Sequence, residues 1–165
     1  MNASWYIKKY KWLKARPTLS KAIITLCHIL SDAIYLAYIV SVGLLFIKHD
    51  ARIWAFIGVP AFGFLTETLL RAKLNWPRPY EVLPVPALEP KDTKGKSFPS
   101  RHAFSAAILS IAFYTLHPIL GACLLLFTIL IGLCRVLMGV HWIRDVVVGI
   151  LFGWLFGGIG FFLFH

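Results

Sequence analysis

Long apolar stretches follow one another along this chain, with only short polar segments between them. Residues 22–47 and 53–70 are each long enough to span a bilayer as a helix. The apolar stretch over residues 103–134 is too long for one helix, and His117-Pro118 interrupts it. Another apolar stretch covers residues 142–164. The sequence therefore predicts an all-α, polytopic membrane helix bundle.

The number of crossings follows from the polar segments on either side of the 103–134 stretch. These segments can lie on the same membrane face only if the chain crosses twice between them. We therefore predict two spans, 100–116 and 118–138, that form a hairpin at His117-Pro118. With the other stretches, this gives about five transmembrane helices within a single domain over residues 1–165.

The composition supports a membrane location and limits the class of partner. Apolar residues make up 59% of the chain and charged residues only 15%, against about 25% in soluble proteins. Most of the basic residues behind the net charge of +10 lie in the N-terminal arm, in residues 71–101 and in the last polar cluster. This placement favours anionic lipid headgroups and a bound phosphate, and no nucleic acid partner is expected.

The N-terminal residues 1–18 form a distinct arm. Over residues 3–14, aromatic and aliphatic side chains alternate with lysines, which predicts an amphipathic helix lying in the membrane interface. A frayed basic tail is the alternative interpretation. We expect Arg16-Pro17 to end the arm and Ser20 to cap the helix that follows.

Residues 72–99 contain six prolines and many charges, so they cannot form a span. Loops this long are usually functional or disordered. Because polar motifs stand at both ends, we predict an active-site loop. Its apolar middle, Val82–Leu88, is expected to cover the site as a lid that contacts a lipid tail.

Ionisable residues within the predicted spans are costly and need partners. His28 and Asp32 lie one helical turn apart, and we favour a structural pair facing the interior over a proton relay or a substrate contact. Glu67 lies four residues before Arg71, so the two side chains can pair on one helical face. This pair either aims Arg71 at a substrate or forms a simple boundary ion pair.

The last apolar stretch carries Gly149, Gly153 and Gly157 at four-residue intervals. Small residues at this spacing let a neighbouring helix approach closely in a membrane. We therefore predict a tight helix contact along this stripe.

Three polar clusters stand out near the membrane boundaries. Arg71 is followed by six residues and then Arg78-Pro79, and Pro99-Ser100-Arg101-His102 precedes the third span. Arg135, His141 and Asp145 form the last cluster. If a helix begins near His141, the i, i+4 spacing places Asp145 on the same face, close enough to hold one imidazole nitrogen.

In order and spacing, these clusters resemble the type 2 phosphatidic acid phosphatase superfamily, membrane lipid phosphatases related to vanadium haloperoxidases. That family reads Lys-x6-Arg-Pro, then Pro-Ser-Gly-His, then Ser-Arg-x5-His-x3-Asp. The resemblance covers about residues 67–149. The chain departs from the pattern at Arg71, Arg101 and Cys134, where the family has lysine, glycine and serine.

The resemblance implies a division of roles. His141 is expected to attack phosphorus and form a phosphohistidine, while Asp145 holds its other nitrogen. His102 would act as general acid and then as general base. The side chains expected to bind phosphate are Arg71, Arg78, Ser100, Arg101 and Arg135, with Glu67 and Lys73 as support. We expect no metal or other cofactor, because Asp145 is committed to His141 and the carboxylates of Glu81, Glu89 and Asp92 lie loosely in the loop.

The expected reaction is metal-independent hydrolysis of a phosphate or pyrophosphate monoester on a membrane lipid, such as undecaprenyl pyrophosphate or phosphatidylglycerophosphate. A lipid-phosphate binder or transporter without hydrolysis is one alternative, and a phosphotransferase on the same scaffold is another. We expect a bacterial inner-membrane location with the site on the outer face, although the positive-inside rule favours the opposite. The sequence does not set the oligomeric state.

Overall fold

A computed structural model describes residues 3–164 of the chain. Its helices are α1 (Ala3–Lys14), α2 (Pro17–Ile47), α3 (Ile53–Leu74), α4 (Pro79–Val82), α5 (Arg101–Leu116), α6 (Pro118–Leu137) and α7 (Ile143–Leu163). Within this described range there is no strand, so the predicted all-α class is confirmed.

The helices α2, α3, α6 and α7 are long and apolar enough to cross a membrane. The remaining long helix, α5, has 16 residues and is therefore only about 24 Å long. Ten of these 16 residues are buried, and α5 makes its most extensive contacts with α6 and α7. The protein is thus an integral membrane bundle with α5 at its centre.

The glycine stripe of α7 packs against α5, as the sequence predicts. A Cβ atom added at Gly149 would lie 2.8 Å from the carbonyl oxygen of Ser100. At Gly153 it would lie 2.6 Å from the carbonyl oxygen of Phe104. Only glycine permits this approach of the two backbones, so the stripe fixes α7 directly against the helix that begins with the second motif.

The predicted hairpin at His117-Pro118 is also confirmed. Pro118 occupies the first turn of α6, where a missing N–H costs nothing, and His117 Nδ1 accepts a hydrogen bond from the Leu120 N–H at 3.3 Å. The side chain of His117 therefore caps a helix. The hairpin returns the chain to the face from which α5 began and so brings Arg135 to the end of the bundle where α3 ends.

The start of α2 differs from the prediction. The helix begins at Pro17, five residues before the expected span, because proline is pre-organised for the first helical position. Ser20 consequently lies inside the helix and does not cap it. Its hydroxyl instead donates a hydrogen bond to the carbonyl oxygen of Leu13 at 2.8 Å and so ties α1 to α2.

The predicted pair of His28 and Asp32 is wrong. The Asp32 side chain is exposed on the outer surface of α2, not turned towards the bundle interior. His28 instead lies beside the long loop, with its Nε2 atom 3.3 Å from Glu89 Oε1. The loop therefore supplies a carboxylate partner from outside the helix, which helical spacing alone could not indicate.

Candidate active site

A cleft of about 400 Å³ opens at the end of the bundle where α3 ends and α5 and α7 begin. Its lining comprises Arg71, Arg78, Tyr80, Lys91, Thr93, Lys96, Arg101, His102, Arg135, Val140 and His141. Six of these side chains are arginine or lysine, and none is a carboxylate. Such a concentration of positive charge is suited to a polyanionic group.

His141 and Asp145 lie side by side at this cleft. The helix α7 begins at Ile143, two residues after His141, so the expectation that a helix begins near His141 is confirmed. The turn before the helix places His141 Nδ1 3.7 Å from Asp145 Oδ2, slightly beyond hydrogen-bond length. Because Nδ1 faces the carboxylate, Nε2 is the ring nitrogen left for chemistry.

The carboxylate of Asp145 is fully buried and is held by groups that flank it. Ser97 Oγ donates a hydrogen bond to Oδ2 at 2.5 Å, and the Trp142 N–H donates to the same oxygen at 3.0 Å. Arg144 Nε lies 3.5 Å from Oδ1. Sequence reasoning missed Ser97, because a single serine near the end of a long loop carries no signal of its own.

The imidazole of His141 is almost completely buried, with 2% of the residue exposed. Burial lowers the pKa of His141 to about 4, although the neighbouring Asp145 carboxylate acts in the opposite direction. The positive charges of Arg78 and Arg135 lower this pKa further. The ring is therefore neutral at physiological pH and keeps a lone pair for nucleophilic attack.

Glu67 joins two of the predicted phosphate ligands. This fully buried carboxylate lies 3.4 Å from Arg71 Nε and 3.4 Å from Arg101 Nε. The predicted pairing with Arg71 is present, and the second contact, with Arg101, was not anticipated. Arg71 also donates to the carbonyl oxygen of Pro99, which ties the end of α3 to the start of the second motif.

Arg101 stands where the family pattern has glycine, and its guanidinium lies at the rim of the cleft. Its Nη2 atom lies 3.5 Å from Thr68 Oγ1, and its charge lies 5.0 Å from the centre of the Phe64 ring. The Arg101 side chain therefore lies along α3 with one edge towards the cleft.

Arg78 is held from two sides. Its Nε donates to the carbonyl oxygen of Gly95 at 3.0 Å, and Nη1 donates to that of Val140 at 3.3 Å, next to His141. The carboxylate of Glu81 accepts hydrogen bonds from the backbone N–H groups of Arg78 and Gly95, each at 2.9 Å. Glu81 is thus a fixed part of the loop, and the expectation that it lies loosely there is wrong.

His102 and Arg135 meet across the cleft from α5 and α6. Arg135 Nη2 lies 2.5 Å from a ring nitrogen of His102. Both side chains face the same cavity as His141, so the structure brings the two predicted histidines together. An incoming phosphate would compete with His102 for this guanidinium.

Ser100, a predicted phosphate ligand, and Lys73, a predicted supporting residue, both lie outside the cleft lining. Ser100 is fully buried and does not line the cleft; its N–H donates to the carbonyl oxygen of Asp145 at 2.8 Å. Among residues 3–164, no group pairs with its hydroxyl. Lys73 is exposed and lies outside the cleft lining.

The apolar middle of the loop does not act as the predicted lid. Val82–Leu88 contributes no side chain to the cleft; the Leu88 N–H instead donates to the carbonyl oxygen of Met138 at 2.9 Å. The polar part of the same loop forms the rim, through Lys91, Thr93 and Lys96. The Leu88 backbone thus docks on the end of α6, whereas Lys91 and Lys96 line the cleft, with Lys91 Nζ also 2.9 Å from Glu89 Oε2.

An apolar groove of about 520 Å³ runs beside the cleft between α2, α3 and α5. Its walls include Tyr38, Phe64, Phe104 and Leu109. Arg101 lines both the groove and the cleft, so the two cavities meet at its side chain.

Comparison with known proteins agrees with this geometry. The model of the PAP2 superfamily matches residues 52–165. The crystal structure of Aquifex aeolicus LpxE superposes with a TM-score of 0.74 at 26% identity, covering 97% of this chain and 94% of that one. The PAP2-type phosphatidylglycerolphosphate phosphatase from Bacillus subtilis shares the fold, with a TM-score of 0.74, 21% identity and coverage of 98% and 83%. No curated protein matches the chain.

The family match spans all three polar clusters, and the fold of the solved relatives extends over nearly the whole chain. A binder without hydrolysis has no need of His141 beside Asp145, so that alternative is set aside. The chain therefore belongs to the PAP2 superfamily and is a membrane lipid phosphatase.

Proposed function

We propose that the protein hydrolyses a phosphate or diphosphate ester on a membrane lipid, without a metal ion, through a phosphohistidine on His141. The observation that carries this proposal is a buried, neutral imidazole backed by a carboxylate at a cleft whose charged lining is cationic. Positioning and charge neutralisation supply most of the catalysis in phosphoryl transfer.

In the first step, the lone pair of His141 Nε2 attacks phosphorus and the bond from phosphorus to the lipid oxygen breaks. The leaving oxygen takes a proton from His102, which takes up this proton once phosphate binding has removed its contact with Arg135. Asp145 stabilises the ring of His141 as positive charge develops on it. Arg71, Arg78 and Arg135 neutralise the phosphoryl oxygens, and the phosphate draws Arg135 away from His102.

In the second step, water attacks the phosphorus of the phosphohistidine. His102 takes the proton that the water loses, and the bond between phosphorus and Nε2 breaks. This releases inorganic phosphate and returns both imidazoles to their starting states. His141 therefore forms the covalent bond to phosphorus, and His102 transfers the proton.

The carboxylates near the cleft already have partners. Glu67 contacts two guanidinium groups, Glu81 accepts from the loop backbone, and Asp145 accepts from Ser97 and Trp142. A divalent ion would need oxygen ligands of this kind. Because these three carboxylates already have partners within the protein, the arrangement supports a reaction that needs no bound metal ion.

The positively charged side chains that line the cleft favour a substrate with more negative charge than a single phosphomonoester. The arginine and lysine side chains at the cleft number six, including Lys91 and Lys96 from the loop. The apolar groove that meets the cleft at Arg101 is suited to an acyl or prenyl chain. We therefore favour lipids with two phosphate groups, with undecaprenyl pyrophosphate and phosphatidylglycerophosphate as the first candidates.

The test is phosphate release by the detergent-purified protein in EDTA, from a panel of lipid monophosphates and diphosphates. We expect release by the parent protein and none by His141→Ala. Quenched reactions should contain a phosphoenzyme that is stable in alkali and labile in acid. Full loss of parent activity in EDTA would contradict the proposal. Transfer to added glycerol in place of phosphate release would identify a phosphotransferase.

We also propose that the cleft faces the outer side of a bacterial inner membrane. The residues exposed at opposite ends of the bundle allow a direct test: Lys94 in the loop and Lys48 in the turn before α3. In intact cells, a membrane-impermeant thiol reagent should label Lys94→Cys and spare Lys48→Cys. The reverse labelling would place the cleft on the inner side.

A further inference from the structure

The N-terminal arm contacts the segment that carries His141. Tyr6 of α1 is only 2% exposed, and its ring packs edge-on against Trp142 at 5.0 Å between ring centres. It shares a small buried cluster with Ala103, Val136 and Val146. The sequence suggests a ring in the headgroup zone, but the structure places it inside the protein.

The hydroxyl of Tyr6 bonds to the backbone on both sides of Trp142. It accepts a hydrogen bond from the Ile143 N–H at 2.9 Å and lies 3.5 Å from the carbonyl oxygen of His141, to which it can donate. The Ile143 N–H stands in the first turn of α7, where no helical acceptor exists. A side chain from α1 therefore completes the start of the helix that carries Asp145.

Lys9, one helical turn further along α1, holds the other end of this segment. Its Nζ donates to the carbonyl oxygen of Val136 at 2.5 Å, near the end of α6, and lies 4.7 Å from the centre of the Tyr6 ring. Burial lowers the pKa of Lys9 to about 8. The Val136 carbonyl also accepts from the Gly139 N–H at 3.0 Å, so the Lys9 ammonium is a second donor to it, at a helix C-terminus that attracts positive charge.

We propose that Tyr6, supported by Lys9, is a positioning residue for His141. The two side chains fix the backbone at both ends of residues 136–143, and the orientation of that backbone sets the separation between His141 and Asp145. Tyr6 does not line the cleft, so its effect acts on the nucleophile and not on the bound phosphate. This inference rests on the proposed role of His141 and concerns residues that the family match at 52–165 does not include.

The first variant is Tyr6→Phe, which keeps the ring and removes the hydroxyl. Loss of the two hydrogen bonds is expected to lower kcat about tenfold. We expect KM to stay within about twofold, and phosphohistidine formation in a single turnover to slow by the same factor as kcat. The matched control is Tyr10→Phe on the same helix, whose ring lies beside the Lys14 ammonium, and it should behave as the parent.

A second pair of variants keeps the proposal testable if Tyr6→Phe fails to fold. Lys9→Met should also lower kcat with little change in KM, whereas Lys8→Met, at an exposed neighbouring position, should leave both unchanged. Unchanged kcat in both Tyr6→Phe and Lys9→Met would overturn the positioning role. A loss of thermal stability with no change in kcat would also overturn the positioning role.

The same series separates this proposal from the proposed function. An inactive His141→Ala with a fully active Tyr6→Phe would overturn the positioning role alone. An active His141→Ala would instead remove the phosphohistidine mechanism on which the inference rests.

Discussion

The hydroxyl of Ser97 donates a hydrogen bond to Asp145 Oδ2 at 2.5 Å, across 48 positions of sequence. Both side chains are fully buried. This bond joins the end of the long loop to the first turn of α7 and sets the direction in which the carboxylate faces His141. The loop therefore contacts the carboxylate beside His141 and also forms part of the cleft rim.

Replacing Ser97 with alanine should slow catalysis without weakening substrate binding. Loss of one hydrogen bond to a buried carboxylate is expected to lower kcat about tenfold, equivalent to about 1.4 kcal/mol, with KM nearly unchanged. Steady-state kinetics on a lipid phosphate measure this. Ser110→Ala is the control, because that buried hydroxyl donates only within α5; equal losses in the two variants would contradict the role given to Ser97.

Arg71 and Arg101 share Glu67 but should respond differently to truncation. Arg71 is 4% exposed, so Arg71→Ala leaves a buried carboxylate without its buried partner and is expected to cost about 3–5 kcal/mol of stability. Arg101 lies at the rim, and Arg101→Ala should mainly raise KM. Thermal unfolding and kinetics on both variants check this, and a larger loss of stability in Arg101→Ala would be inconsistent with the structure.

The lowered pKa of His141 predicts how the stability of the protein depends on pH. Because its pKa falls from the ordinary 6.5 to about 4, the unfolded chain binds a proton here at mildly acidic pH that the folded protein does not. The contribution of this residue to stability therefore decreases as the pH falls from about 6.5 to about 4. NMR titration of histidine-labelled protein should show a midpoint near 4 that disappears in His141→Gln. Loss of a midpoint near 6.5 in that variant would instead contradict the burial of His141.

The contact between α5 and α7 predicts a difference between two glycines of one helix. Gly153→Ala places a methyl group against the carbonyl oxygen of Phe104, whereas Gly158 has nothing within 4 Å of an added Cβ. Overpacking of this kind typically costs about 1–3 kcal/mol. Thermal unfolding in detergent should therefore show a clear loss of stability for Gly153→Ala and little change for Gly158→Ala; equal values would mean that the close approach is not maintained.

Local physical chemistry made much of this protein predictable from its sequence. The length of the apolar stretches set the helices, because a backbone in hydrocarbon must satisfy its own hydrogen bonds. The chain must cross the membrane twice between two polar segments on one face, which predicted the hairpin at His117-Pro118. The glycine spacing in α7 indicated a tight helix contact. The spacing of the polar clusters predicted His102, His141 and Asp145 as site residues, and these side chains lie at helix ends that the bundle brings to one face.

Contacts between distant segments could be identified only from the tertiary structure. Helical spacing suggested that His28 pairs with Asp32, but a loop carboxylate, Glu89, reached His28 instead. Ser97 bonds to Asp145 across 48 positions, and Tyr6 bonds to the backbone of His141 and Ile143 across 135 and 137 positions. No local pattern encodes a partner at such a distance. The sequence by itself determined which elements form and which residues are predicted to carry the chemistry, because both depend on near neighbours along the chain. Only the packing of loop, arm and bundle decided which side chains hold those residues in place.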